Sequence, residues 1–266
     1  LFPYTPLFRS VAKLVIFLVA SYLFFGILGE PKTLRGGKMK KNYVLLFVLS
    51  ALLLCTNIYA KTVLYDDTHG QTAGNADWLT NGAYSEMADM LKDNGFTIDD
   101  LSKVSPNRVF TKDLLAGYDA VILAEPNNPY SPAECKHLTE FVKNGGGMFI
   151  IGDHHNADRD GDGWDAVRAL NEFCPAFGFK FQQNTVYEAP VAGPINQNHP
   201  AMFAFRAVGI WAGATFDIIE APDAKEVSLI DSRVSKSPYM VASEYGAGRV
   251  FAIGDNAAKM RTVANA

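Results

Sequence analysis

Residues 120–153 read AVILAEPNNPYSPAECKHLTEFVKNGGGMFIIGD. The first five, Ala120 to Ala124, are a continuous apolar run of strand length, the pattern of a strand whose two sheet faces are both covered. Ser131, Pro132 and Glu134 spell a capping box with proline at the first helical position. The helix they open turns Cys135, Leu138, Phe141 and Val142 inward. Gly145, Gly146 and Gly147 stop it, and Met148 to Ile151 begins a second buried strand. Strand, helix and strand in this order make the repeating unit of an α/β protein.

Just past this unit the chain breaks into thirteen residues, Asp153 to Asp165, almost all polar or glycine. The end of a strand is where α/β sheets place their sites. Asp158, Asp160, Asp162 and Gly163 spell D-x-D-x-D-G, the first half of a calcium loop. Ala169 occupies the place of that loop's usual twelfth-position glutamate, so Asp165 or Glu172 would have to substitute. Asp153, His154 and His155 precede the aspartates.

Upstream, Thr62 to Tyr65 reads as a short strand followed by a second polar loop, Asp66 to Leu79, with Asp66, Asp67 and His69 at its head. Tyr84, Met87, Ala88 and Leu91 then share one helix face, and Gly95 is placed to end it. Phe96 to Leu101 reads as a strand, and a short helical segment starts at Thr111. Downstream, Val167, Leu170 and Cys174 mark one amphipathic helix ended by Pro175 and Gly178. Pro190, Pro194 and Pro200 argue against regular structure through much of Phe179 to Ala221. Strands return at Glu226 to Ile230 and Met240 to Ile253, with a hairpin turning at Tyr245-Gly246-Ala247-Gly248.

The first 60 residues read as separate from this domain. Residues 1–10, LFPYTPLFRS, resemble the translation of a sequencing adaptor, and residues 1–38 read as a non-native or read-through leader. Val11 to Leu28 is also near the lower length for a membrane span. Residues 39–60 have the basic, apolar and short polar regions of a signal peptide, with cleavage expected after Ala60. Leu54 before Cys55 argues against a lipid anchor. The expectation is a secreted or periplasmic protein with no stable membrane anchor, and a single α/β domain over residues 61–266 whose C-terminus is open to truncation. The leader holds seven of the 24 basic and one of the 28 acidic residues, leaving 17 basic and 27 acidic and a net charge of −10. That balance is no nucleic-acid signature. Cys135 and Cys174 both fall on apolar helix faces and favour buried free thiols over a disulfide.

The order of elements, with residues 120–153 and the late SEYGAGRVFAIGD hairpin (243–255), resembles the class I glutamine amidotransferase-like superfamily, in branches related to trehalose-utilisation and gliding-motility proteins. The resemblance implies a flavodoxin-like, doubly wound, mostly parallel sheet with a C-terminal β-hairpin and a ligand at the carboxyl ends of the strands. It does not imply glutamine hydrolysis. The superfamily's nucleophilic cysteine would follow the strand Met148 to Ile151, where Asp153 stands, and Ala201 replaces the glutamate of its His-Pro-Glu element after His199-Pro200.

In such a sheet Asp66, Asp67 and His69, then Asp153, His154 and His155, then Asp255 share one rim. Carboxylates mixed with imidazoles suit zinc or manganese, which would activate a water. Aspartates past strands also commonly cap loop amides, and that reading stays open. The expected catalytic residues are Asp67, His69, Asp153 and His155. The expected metal ligands are those four with Asp66 and His154, and Asp158, Asp160, Asp162 and Asp165 for a structural calcium. Two function classes follow. One is an exported metal-dependent hydrolase, acting on phosphoesters or phosphodiesters first. The other is a non-catalytic, calcium-stabilised module that binds a glycan or a protein partner.

Overall fold

The structure, a computed structural model, describes residues 61–191, 196, 198–202 and 208–255. The expectations for residues 1–60 and for the C-terminal end lie outside the described residues. Strand β1 spans Lys61–Tyr65, helix α1 Ser85–Asp93, strand β2 Phe96–Asp100 and the single-turn helices α2 Leu101–Val104 and α3 Lys112–Leu115. Strand β3 spans Ala120–Ala124, helix α4 Pro132–Lys143, strand β4 Gly147–Ile151 and helix α5 Ala166–Asn171. After them come β5 Phe179–Phe181, β6 Val186–Val191, β7 Val208–Gly213, β8 Phe216–Ile218, β9 Ala224–Asp231, β10 Pro238–Tyr245 and β11 Gly248–Ile253.

Seven strands form one sheet in the order β2-β1-β3-β4-β11-β10-β9. The first five are parallel, and β10 and β9 extend the sheet antiparallel. The order 2-1-3-4 followed by the late hairpin is that of a flavodoxin-like, doubly wound sheet, as expected. The two-residue turn between β10 and β11 works because Gly246 takes φ +59.

Alternation along the central strands builds two cores. Leu64, Val121, Leu123, Met148 and Ile150 face one side, where Leu138, Val142, Val167 and Leu170 of the helices cover them. Val63, Tyr65, Ile122, Ala124 and Ile151 face the other, against Tyr84, Val186, Val208 and Ile210. This two-sided burial is why β3 is apolar at every position. The capping box of α4 forms as read: Ser131 Oγ accepts from the Glu134 amide and the Glu134 carboxylate accepts from the Ser131 amide. Gly145, at φ +113, leads the chain out of that helix.

Two expectations are corrected. The helix read through Val167, Leu170 and Cys174 is interrupted after Asn171, and Cys174–Phe177 is a separate 3-10 turn closed by Gly178 at φ +85. Pro175 forbids the α-helical hydrogen bond that would join them. The proline-bearing section is also more regular than expected, because β5 pairs with β8 and β6 with β7 in two short ribbons. Pro190 lies in the register irregularity between Glu188 and Val191, where no ladder amide is needed. Cys135 and Cys174 are both free. No helix among the described residues is long and apolar enough to cross a membrane.

Candidate functional site

The carboxyl ends of β1, β3, β4 and β11 each deliver an acidic side chain to the same rim. Asp66 follows β1 directly, Glu125 follows β3, and Asp153 and Asp255 stand one residue further after β4 and β11. All four are buried, at 0%, 0%, 5% and 4% exposure. Four carboxyls cannot stay in so dry a place as free anions, so each must be paired, hydrogen-bonded or protonated.

Asp66 is paired. His69 Nδ1 lies 2.8 Å from Asp66 Oδ1, and Tyr130 Oη donates to Asp66 Oδ2 at 2.7 Å. His69 Nε2 meets Glu134 Oε1 at 3.2 Å, so the imidazole bridges two carboxylates, with Phe110 stacked and Tyr130 tilted beside it. Burial pulls the His69 pKa down, but Asp66 and Glu134 outweigh it and raise it to about 10. Burial pushes Glu134 up, yet its hydrogen bonds with His69 and Ser131 hold it at about 2. A ring occupied at both nitrogens has no lone pair to offer a cation. Asp67 faces elsewhere and accepts from the amide and hydroxyl of Ser102 in α2.

Asp153 is arranged differently. Its Oδ1 receives the His154 amide and lies 2.8 Å from His154 Nδ1, while Oδ2 receives Arg159 Nη2 at 2.7 Å. Burial pushes the Asp153 carboxyl up, but these contacts overcome it and the group stays ionised, below the ordinary value. Its hydrogen bond in turn raises the pKa of His154. With Nδ1 held by the carboxylate, Nε2 of His154 has no partner among the described residues, and its side chain is one-third exposed. This carboxylate-oriented imidazole can take a proton from a bound molecule or give one to it.

Behind the dyad sits Glu125. Burial and then the neighbouring Asp153 drive its pKa well above the usual carboxylate range, and Arg159 only partly offsets this. Its Oε1 has no donor facing it. Both facts fit a neutral carboxylic acid sharing its proton with Asp153. Glu125 also takes φ +43, a left-handed conformation costly for a side chain of this size. Arg159, 3.4 Å from Glu125 Oε2, stacks on Trp78 and closes the cluster from the acidic loop. Asp255 accepts the Trp211 amide at 2.7 Å, and burial, with Asp255 adding to it, raises the pKa of the Tyr239 phenol.

The structure therefore joins Asp66 to His69 and Asp153 to His154, but it does not join the two pairs into one coordination sphere. Among the described residues, only Asp158, Asp160 and Asp162 bring three potential ligand atoms within 4.8 Å of one another. The structure does not gather Asp66, Asp67, His69, Asp153, His154 and His155, the residues expected around zinc or manganese, into one such group: Asp66 and His69 contact each other, and His69 also contacts Glu134. Asp165 caps α5, accepting from the amides of Arg168 and Asn156. His155 Nδ1 lies 3.7 Å from that cap. Asp158 holds the acidic loop itself, accepting from the amides of Gly161 and Gly163.

Glu125, Glu134, Tyr130 and Arg159 were not among the expected site residues. Glu125 had a signal, since it is the first residue after an apolar strand, the rule that singled out Asp66. Arg159 had none, because its partners lie on other loops. Two hollows lie off the rim, one of about 360 Å³ at the amino ends of the strands and one of about 880 Å³ along the second sheet face. His199 lines the larger, and none of the rim carboxylates lines either.

A family model described as trehalose utilisation, ThuA, matches residues 70–262. Among solved structures, the N-terminal domain of mmIFT52 is similar with a TM-score of 0.57 and 17% identity, over 75% of this chain and 87% of that one. A ThuA-like protein from Parabacteroides merdae is similar at 16% identity, over 73% and 78% of the two chains, with a TM-score of 0.46. One from Bacteroides uniformis reaches 0.42, also at 16%, over 74% and 81%. No curated protein matches the sequence. With the flavodoxin-like sheet and a family match over most of its length, the chain belongs to the ThuA family, within the amidotransferase-like group it was expected to resemble.

Proposed function

We propose that this domain is an enzyme that moves protons on a sugar-derived substrate, with His154 as the group that exchanges the proton. The observation that carries the proposal is the 2.8 Å contact between Asp153 Oδ1 and His154 Nδ1 at the end of the central strand, with Nε2 left open. Asp153 fixes the tautomer and orientation of the ring. Glu125, neutral behind it, keeps a second negative charge out of the cluster and lets Asp153 remain ionised. The family description, trehalose utilisation, makes a sugar the first substrate class to try.

The hydrolase expected from the sequence takes a new form in this reading. His154 would activate a water, or withdraw a proton next to a carbonyl, without relying on Asp66, Asp67 or His69. A structural calcium remains part of the proposal at Asp158, Asp160 and Asp162, where the spacing of the aspartates and the closeness of their oxygens support it. Export is retained on the pattern of residues 39–60.

The test is a panel of trehalose, other disaccharides, keto-sugars, sugar phosphates and chromogenic phosphoesters, run on wild type and His154→Gln. General acid–base groups contribute about 10²–10⁴-fold, so the variant should lose that much kcat on whichever substrate is turned over. Turnover unchanged in His154→Gln would overturn the assignment.

A further inference from the structure

From the ribbon beside the site we infer a saccharide-stacking platform formed by Tyr187 and Trp211. The inference rests on reading the rim as a sugar site, and extends it to a part of the substrate beyond the reacting group.

Strands β6 and β7 pair antiparallel, with Tyr187 opposite Trp211. One face of the ribbon is core, where Val186, Val208 and Ile210 are buried. The opposite face carries both aromatics, at 58% and 64% exposure. Their ring centroids are 5.7 Å apart and their planes 87° apart, so the two exposed rings meet at a right angle. Local backbone features hold this presentation. The register is irregular between Val186 and Tyr187, and Ala212, next to Trp211, takes φ +63. Irregularities of this kind re-aim side chains and persist beside functional sites.

The ribbon is also tied down. Asp255 on the rim accepts the Trp211 amide, and a Cβ at Gly213 would stand 2.8 Å from Asp255 Cβ, so β7 runs directly against the site. On the other strand the Glu188 carboxylate accepts from Ser232 Oγ at 2.8 Å and from the Arg233 amide at 2.9 Å. The platform is thus preorganised, which lowers the ordering cost of binding.

Size selects the occupant. Two aromatic side chains offer a few hundred Å² at most, well under the roughly 800 Å² per partner of a stable protein interface. They match the apolar face of one or two pyranose rings, which pack flat on such surfaces. The occupant proposed is a sugar unit of the substrate bound at the rim.

Isothermal titration with trehalose and with maltotriose, on wild type, Trp211→Ala and Tyr187→Ala, tests this. The expected result is about tenfold weaker binding of at least one saccharide by Trp211→Ala, with the melting temperature unchanged. Equal binding by wild type and Trp211→Ala overturns the platform, as does wild type binding neither sugar. A Trp211→Ala effect confined to sedimentation, a dimer becoming a monomer, overturns it in favour of contact between copies. If Trp211→Ala loses affinity while no substrate is turned over by wild type, the platform stands and the catalytic reading of His154 fails.

Discussion

The behaviour of Glu125 follows from a single charge. Glu125 is fully buried, its Oε1 faces no donor, and burial and then Asp153 push its pKa well above the usual carboxylate range despite Arg159, which favours a neutral acid able to donate to Asp153. Glu125→Gln keeps the shape and a donor, so it should change stability by less than about 1 kcal/mol, whereas Glu125→Ala should cost about 2–5 kcal/mol through the cavity it opens. Denaturant unfolding at pH 7 measures both, and a Gln variant as damaged as the Ala variant would mean that the group is ionised. His154 is the complementary case. Its pKa is raised by the hydrogen bond to Asp153. In Asp153→Asn it should fall toward about 6.5, observable by NMR titration of the ring protons. A base needs the neutral ring, so the rising limb of kcat/KM should move to lower pH in that variant, while kcat falls.

Among the elements, the loop after β1 and helix α4 are locked together by His69 between Asp66 and Glu134. The raised pKa of His69 means that its contribution is fully present below about pH 6.5 and is lost as pH rises through about 10. The depressed Glu134 contributes above about pH 4.5 and loses that contribution as pH falls toward about 2. This connection should therefore be strongest between about pH 4.5 and 6.5. His69→Ala should cost about 3–5 kcal/mol there, because it leaves two buried carboxylates without their cation. The gap between the two proteins should narrow on the way to pH 10, read by thermal or denaturant unfolding across pH. A gap that stays constant would mean the ring is not charged in the fold.

For the whole molecule, calcium should bind the folded chain through Asp158, Asp160 and Asp162 and not the unfolded one. At about a hundred times its dissociation constant the gain is about 2.7 kcal/mol, or roughly 5–10 °C in Tm for a domain of this size. Differential scanning calorimetry with calcium and with a chelator checks it, and Asp160→Ala should remove the shift. N-terminal sequencing of exported protein should begin at Lys61, and a product that retains residues 1–37 would contradict the leader reading.

What the sequence determined by itself was local. Apolar runs such as Ala120 to Ala124, the Ser131–Glu134 cap and the Gly246-Ala247 turn carry their own geometry, because burial pattern, capping and positive φ act within a few residues. Those signals were enough for the α/β class, the parallel core and the late hairpin, and they placed Asp153 and His154 at a strand end. Four ribbon strands went unread between Phe179 and Ala221, where prolines weaken the pattern and partners such as β5 and β8 lie far apart in the chain. Only the tertiary structure decided which polar groups meet. Asp66, Asp67, His69, Asp153, His154 and His155 sit at suitable spacings for one metal centre, yet Tyr130 and Glu134 claim Asp66 and His69, and Ser102 claims Asp67. Glu125 and Arg159 became site residues in the same way. The physical reason is that a buried charge takes whichever partner the packing of distant segments brings within about 3 Å, and that distance is a property of the folded chain.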